Sequence, residues 1–262
     1  MRKVQTGWLT KVVPTRNLPA EKLNLRRSRH GSAKDVHNQT SVGHIERLDI
    51  LAYQLPELGY DYDALEPAID TRTMMLHHSK HHQAYIHQLN MAIAPHGNLQ
   101  DRSIEDLLIH IDDAPEEIRG VIRDSGGGHA NHELYWKTIG PPCGDKPVGI
   151  LEEAIRQRFG TLESLKKELT EAAARVFGSG WTFLAVDPWT RKLEVMSLPN
   201  QDVVVLHGKS AVLACDVWEH SYYLKYENRR PEYLKAFWDV VQWEAVSRRF
   251  ESVLEQSLIS AV

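Results

Sequence analysis

Asp216-Val217-Trp218-Glu219-His220 follows an apolar run over residues 210–215 and precedes the aromatic pair Tyr222-Tyr223. The run reads as a buried β-strand. One carboxylate and, four residues on, one imidazole can reach a common point from a strand end or a helix start. A hard oxygen donor beside a borderline nitrogen suits a transition-metal ion. Alone, a D-x-x-x-H spacing is a weak signal, and its weight depends on whether other imidazoles arrive from elsewhere in the chain.

Two other stretches supply them. His77-His78-Ser79-Lys80-His81-His82 lies inside a long helical pattern, and five of the fourteen histidines fall between His77 and His87. Helical spacing puts His77, His81 and Tyr85 on one stripe, with His78 and His82 on the neighbouring one. The second stretch, His129-Ala130-Asn131-His132, follows Gly126-Gly127-Gly128, and there His132 shares a helix face with Trp136. Any one of these histidines reads equally well as a hydrogen-bonded helix residue. Three separated clusters with aromatic neighbours point to a buried metal.

The rest of the chain sets the frame. A length of 262 residues with 42% hydrophobic residues supports a sizeable core in one domain or two small ones. A net charge of −4 gives no reason to expect nucleic acid, and two cysteines, Cys143 and Cys215, do not make a disulfide framework. No apolar stretch approaches the ~20 residues that span a bilayer, so no membrane partner is expected. Residues 1–48 are strongly basic and read as a disordered extension. Val4, Trp8, Leu9 and Val12 leave open an amphipathic mitochondrial presequence, and an upstream start codon on a bacterial gene is the third reading. The compartment expected is the bacterial cytoplasm, or the mitochondrial matrix if the extension is a presequence.

Residues 49–140 read as two long helices. The first runs over about 70–94; the second opens at Pro115, placed at the first helical position, and resumes after the glycines to Thr138. Ser103 caps a short helix between them. Residues 140–147, rich in Pro and Gly, form a linker. Residues 147–257 begin with helical patterns at 150–159 and 162–177, continue with β patterns at 181–186, 193–198, 203–206 and 212–217, and are helical from Pro231 onwards. The fold class expected is α+β. It consists of an N-terminal antiparallel helical hairpin and a C-terminal α/β unit, with a small, about three-stranded antiparallel sheet flanked by helices.

The stretches H-H-S-K-H-H-Q-A-Y, G-G-H-A-N-H-x-L-Y-W, F-G-S-G-W, N-Q-D and D-V-W-E-H-S-Y-Y-L-K-Y-x-N-R-R-P occur in that order over residues 53–257. Together they resemble the iron/manganese superoxide dismutases. The resemblance implies disproportionation of superoxide, a small anionic substrate, at one metal ion per subunit bound by His77, His132, Asp216 and His220. It implies that Gln201 serves the metal's solvent ligand, and that Gln201 with Gly128 is the manganese arrangement, iron being the alternative. His81 and Tyr85 become a gateway with Tyr85 relaying protons, and Tyr135, Trp136, Trp181 and Trp218 an aromatic wall. Lys80 and Arg230 are expected to ring the entrance. Glu219 and Tyr223 are implied at a two-fold interface of a homodimer or homotetramer. A catalytically inactive structural homologue is the competing reading, and it would be expected to lack ligands or the glutamine. A histidine-rich metal store fits less well still.

Overall fold

A computed structural model describes residues 52–259; the expectations for residues 1–48 lie outside them. The first long helix is α1 (Thr71–Leu76), a π-helical turn (His77–His82) and α2 (Gln83–Ile93) in unbroken succession. Asp70 starts it by accepting from the Thr73 N–H at 2.9 Å, which satisfies one of the free amides of the first turn. Two short helices follow, α3 (Gly97–Gln100) and α4 (Ile104–Ile109). Ser103 caps α4 through the Asp106 N–H, as its position predicts.

The second long helix is α5 (Glu116–Val121), a π turn (Ile122–Gly126) and α6 (Gly127–Thr138). It does not break at its glycines, and Pro115 occupies the N-cap rather than the first helical position. Three contacts between the long helices fix their direction. His77 meets His132 with ring centroids 4.9 Å apart, Tyr85 lies against Gly128, and Gln88 accepts from Ser125 at 3.0 Å. Rising numbers on one helix meet falling numbers on the other, so the pair is an antiparallel hairpin. Ile86, Leu89, Ile93, Leu107, Leu108 and Ile122 fill its core.

The C-terminal part opens with α7 (Gly149–Phe159) and α8 (Leu162–Arg175), the latter capped by Thr161 at the Ser164 N–H. The sheet is β1 (Gly180–Val186), β2 (Leu193–Pro199) and β3 (Ser210–Asp216) in the order β2-β1-β3, antiparallel throughout. Central β1 is buried along its whole length, and its one polar side chain, Thr182, is hydrogen-bonded to the Ser197 hydroxyl at 2.9 Å. The β1–β2 turn is stabilised by Asp187, whose Oδ1 accepts from the Trp189 and Thr190 amides. The register sets Asp216 beside Trp181, so strand pairing alone fixes two groups of the site. The chain ends with a turn (Glu219–Ser221), α9 (Tyr223–Tyr226), α10 (Arg230–Phe237) and α11 (Trp243–Ile259).

Three further local expectations are overturned. Residues 203–206, a β pattern by their valines, form part of a 3₁₀ turn (Val204–His207) closed by Gly208 at φ 70°. Val203 packs into the hairpin core instead of pairing, so its branching serves burial. The helix begun at Leu162 stops at Arg175 rather than at Phe177, because Val176 turns to extended backbone. The C-terminal helix is interrupted over 238–242. There Gly140 donates to the Val240 carbonyl at 2.8 Å and Gln242 to that of Thr138 at 2.9 Å, a backbone bridge to the end of α6.

Candidate metal centre

Asp216 closes β3, and its carboxylate is divided between two tasks. Oδ1 accepts from the Trp218 N–H at 2.8 Å, which fixes the side-chain rotamer. Oδ2 is left facing three imidazoles: 3.1 Å from His77 Nε2, 3.3 Å from His220 Nε2 and 4.0 Å from His132 Nε2. His220 reaches this point because the turn after β3 is tied down by Ser221, whose hydroxyl bonds the Asp216 and Trp218 carbonyls. His77 comes from the π turn of the first long helix and His132 from α6, so the four donors converge from both halves of the fold.

Protonation is readable from the partners. His132 Nδ1 lies 2.6 Å from the Gly128 carbonyl, which can only accept, so Nδ1 carries the proton and Nε2 presents its lone pair. Burial pushes the His77 pKa down to about 4 and that of His132 well below the ordinary imidazole value. Burial by itself would raise Asp216, but the facing His220 and His77 outweigh it and hold the carboxylate below its usual range. Burial thus favours neutral imidazoles at His77 and His132, while the groups facing Asp216 favour its anion.

The donor atoms all lie within 4.8 Å of one another. Asp216 Oδ2 and Nε2 of each of His77, His132 and His220 are buried with no aligned hydrogen-bond partner. Four unsatisfied polar atoms at one point are costly in an apolar surround unless a cation binds them. The residues fit a metal ion.

Aromatic rings enclose the donors. Trp136 meets His77 edge-on at 4.7 Å, Tyr135 lies 5.6 Å from His77, Trp181 5.1 Å from His132, and Trp218 stacks on His220 at 5.4 Å. His81 is exposed and stacks on His220 at 4.3 Å. Gln201 bridges the halves. Its Nε2 donates to the Tyr85 hydroxyl at 3.0 Å, and its Oε1 accepts from the Trp181 indole at 2.9 Å. Glu219 and Tyr223 point outwards, exposed and away from the donors. Arg230 does not ring the entrance: Nε, Nη1 and Nη2 donate to the Tyr222 hydroxyl and to the Val176 and Gly178 carbonyls, so its fork is committed to the protein's own groups. Lys80 remains exposed.

Sequence reasoning missed a buried proton chain behind the donors. The Trp136 indole donates to His82 Nδ1 at 3.1 Å, which leaves the His82 proton on Nε2, 2.8 Å from His129 Nδ1. Both histidines stand in the clusters noted above, but nothing in the sequence pairs them across 47 positions. Asn131, which bonds the Gln201 and Asp202 carbonyls at 3.3 Å, was also overlooked although it adjoins His132.

A buried set of three imidazoles and one carboxylate, between a helical hairpin and a small antiparallel sheet, defines a mononuclear metalloprotein with room for one ion. The comparisons specify which kind. The family model described as iron/manganese superoxide dismutases, alpha-hairpin domain, matches residues 52–140, and the one for the C-terminal domain matches residues 147–249. A superoxide dismutase of Listeria innocua named for manganese is 48% identical over 202 residues, 77% of this chain and 99% of its own length. One of Methylomonas sp. (strain J), named for manganese or iron, is 49% identical over 78% of this chain and 100% of its own. One of Thermus thermophilus, named for manganese, is 47% identical over 76% of this chain and 97% of its own. The chain belongs to the iron/manganese superoxide dismutase family.

Proposed function

We propose that this chain is a superoxide dismutase in which His77, His132, Asp216 and His220 hold a single manganese ion, iron being the alternative. The observation that carries this is the set of four buried donor atoms without partners. Two superoxide anions and two protons give one dioxygen and one hydrogen peroxide. When bound, the ion supplies the one-electron couple that lets one superoxide be oxidised and the next reduced.

The chain's own residues do the rest. Tyr85 and Gln201 form a hydrogen-bonded pair beside His132, suited to holding and passing the protons that peroxide formation consumes. The rings of Tyr135, Trp136, Trp181 and Trp218 keep bulk water from the donors and admit only small species. His81 stands exposed at the outer end of this stack, beside His220, as a gateway residue would. Support for manganese comes from Gly128. A Cβ there would lie 2.6 Å from the Tyr85 ring, so a glutamine reaching the site from that position has no space, and Gln201 supplies the amide instead.

Glu219, Tyr223 and His81 are exposed within four residues of the donors His220 and His77, which supports a two-fold homodimer, alone or within a homotetramer. No helix among the described residues is long and apolar enough to cross a membrane. The bacterial relatives favour the bacterial cytoplasm over the mitochondrial matrix. Nothing supports the inactive homologue, since the donor set and Gln201 are both complete.

The test is superoxide consumption per bound metal, by stopped flow, on protein refilled separately with manganese and with iron. Fast turnover with manganese is expected. Stoichiometric binding of either metal without turnover would sink the assignment.

A further inference from the structure

Gln201 stands on a short link between the end of β2 and the 3₁₀ turn at 204–207, where local backbone alone is a poor anchor. Asn200 ties the link to its own half, its N–H donating to the Ser179 carbonyl and its carbonyl accepting from the Trp218 indole, both at 3.0 Å, and beyond Asn200 the link is also held from the hairpin. Arg123, in the π turn of the second long helix, grips Asp202 as a two-pronged fork: Nε donates to Oδ1 and Nη2 to Oδ2, both at 2.9 Å. Asn131 donates to the carbonyls on either side, those of Gln201 and Asp202. Gly127 lets the backbones meet, since a Cβ there would lie 2.2 Å from the Gln201 carbonyl oxygen. Asn200, at φ 52°, takes the left-handed turn that asparagine tolerates better than most residues.

We propose that the Arg123–Asp202 fork is a positioning device for the reaction: it holds the Gln201 link in register with the hairpin and so sets the hydrogen bonds that the Gln201 amide makes to Tyr85 and Trp181. This rests on the reading of Tyr85 and Gln201 as the proton-passing pair. Tyr85 belongs to the hairpin and Gln201 to the C-terminal half, so their 3.0 Å bond survives only while the halves keep their register. The planar guanidinium fixes both distance and angle to a carboxylate, which a lysine cannot do. The Arg123 side chain is 54% exposed and that of Asp202 17% exposed. Neither residue belongs to the hydrophobic core, so the fold is expected to survive the loss of the fork while the geometry it sets changes. A shift of about an ångström in a supporting group far from the chemistry can cost up to about a hundredfold in rate.

The test uses ¹⁵N-labelled full-length protein loaded with zinc, which keeps the site diamagnetic, and reads the Trp181 indole N–H resonance. Gln201→Ala supplies the position of that resonance when its acceptor is gone. Asp202→Asn and Arg123→Gln are expected to move it towards that position, and Arg123→Lys is expected to fall between them and the wild type. A resonance that stays at the wild-type position in both Asp202→Asn and Arg123→Gln overturns the proposal. Asp202→Asn keeps the size and one acceptor of the original, so a folded variant is available whatever Arg123→Gln does. On manganese-loaded protein the same variants are expected to lose about tenfold in kcat with kcat/KM nearly unchanged, the split expected of slowed proton delivery. A moved resonance with unchanged kcat would keep the fork's positioning role and refute the proton-passing role of Gln201 on which it was built.

Discussion

Gln201 Nε2 donates to the Tyr85 hydroxyl at 3.0 Å across 116 positions of sequence, joining the two halves of the fold beside the metal donors. Tyr85 is half-buried, and burial raises its pKa more than the Gln201 bond lowers it, so the phenol keeps its proton at neutral pH. Replacing Tyr85 by Phe removes the proton without emptying the space. Metal content is expected to stay at one ion per chain while kcat falls by about tenfold to a hundredfold. Stopped-flow turnover together with metal analysis decides it, and full turnover in Tyr85→Phe would remove Tyr85 from the proton path.

Gly128 makes the same point from the other side. A Cβ at this position meets three Tyr85 ring atoms within 2.9 Å, and the carbonyl of the same residue fixes the His132 tautomer. Gly128→Ala must therefore displace the ring or the helix. The expected loss is about 1–3 kcal/mol of stability, together with a fall in turnover comparable to that of Tyr85→Phe. Urea unfolding of the loaded protein beside its kinetics would show whether both effects occur.

Much of this was legible in the residues, for physical reasons. The stretches that bring the four donor atoms together are local in sequence: Asp216 ends a strand with His220 four residues on, and His77 and His132 stand in histidine-rich helical patterns. Fold class followed from periodicity. What stayed hidden depends on long-range contacts. Nothing in His77-His78-Ser79-Lys80-His81-His82 marks a π turn, because no proline or glycine punctuates it. Valines at 203–205 carry a strand signature that burial against the hairpin overrides. Arg230 reads as a surface charge until the Val176 and Gly178 carbonyls are seen in front of it. The Arg123–Asp202 fork spans 79 positions that no local pattern connects.

The donor set also predicts how metal and stability are linked. Four unpartnered atoms in an apolar enclosure make the metal-free site unfavourable, and an ion that binds only the folded chain stabilises it by mass action. At free metal one hundredfold above its dissociation constant this amounts to about 2.7 kcal/mol. The loaded protein is expected to melt above the metal-free form. Asp216→Asn should abolish most of that difference, because the amide keeps the shape of the carboxylate but not its charge. Differential scanning calorimetry with and without manganese measures it; an Asp216→Asn variant that gained as much from metal as the wild type would contradict the assignment of Asp216 as a ligand.

The buried pair His82–His129 predicts a pH dependence of its own. Burial holds His82 down to a pKa of about 2 and lowers His129 as well. The His82 acceptor nitrogen is occupied by the Trp136 indole, so protonation there breaks a bond as well as burying a charge. In the unfolded chain His82 titrates near its ordinary value of 6.5, so between that pH and about 2 the unfolded state binds a proton that the folded state refuses. The contribution is therefore complete above 6.5 and is lost progressively on acidification, at about 1.4 kcal/mol per pH unit for each such imidazole. His82→Gln keeps an acceptor for Trp136 but cannot take up a proton. Its unfolding free energy, followed in urea from about pH 7.5 to about pH 5 at the same metal loading as the wild type, should fall less steeply by about that slope. Parallel curves for the two proteins would mean that His82 takes up its proton as readily in the fold as in the unfolded chain, contrary to the proton order that Trp136 and His129 impose.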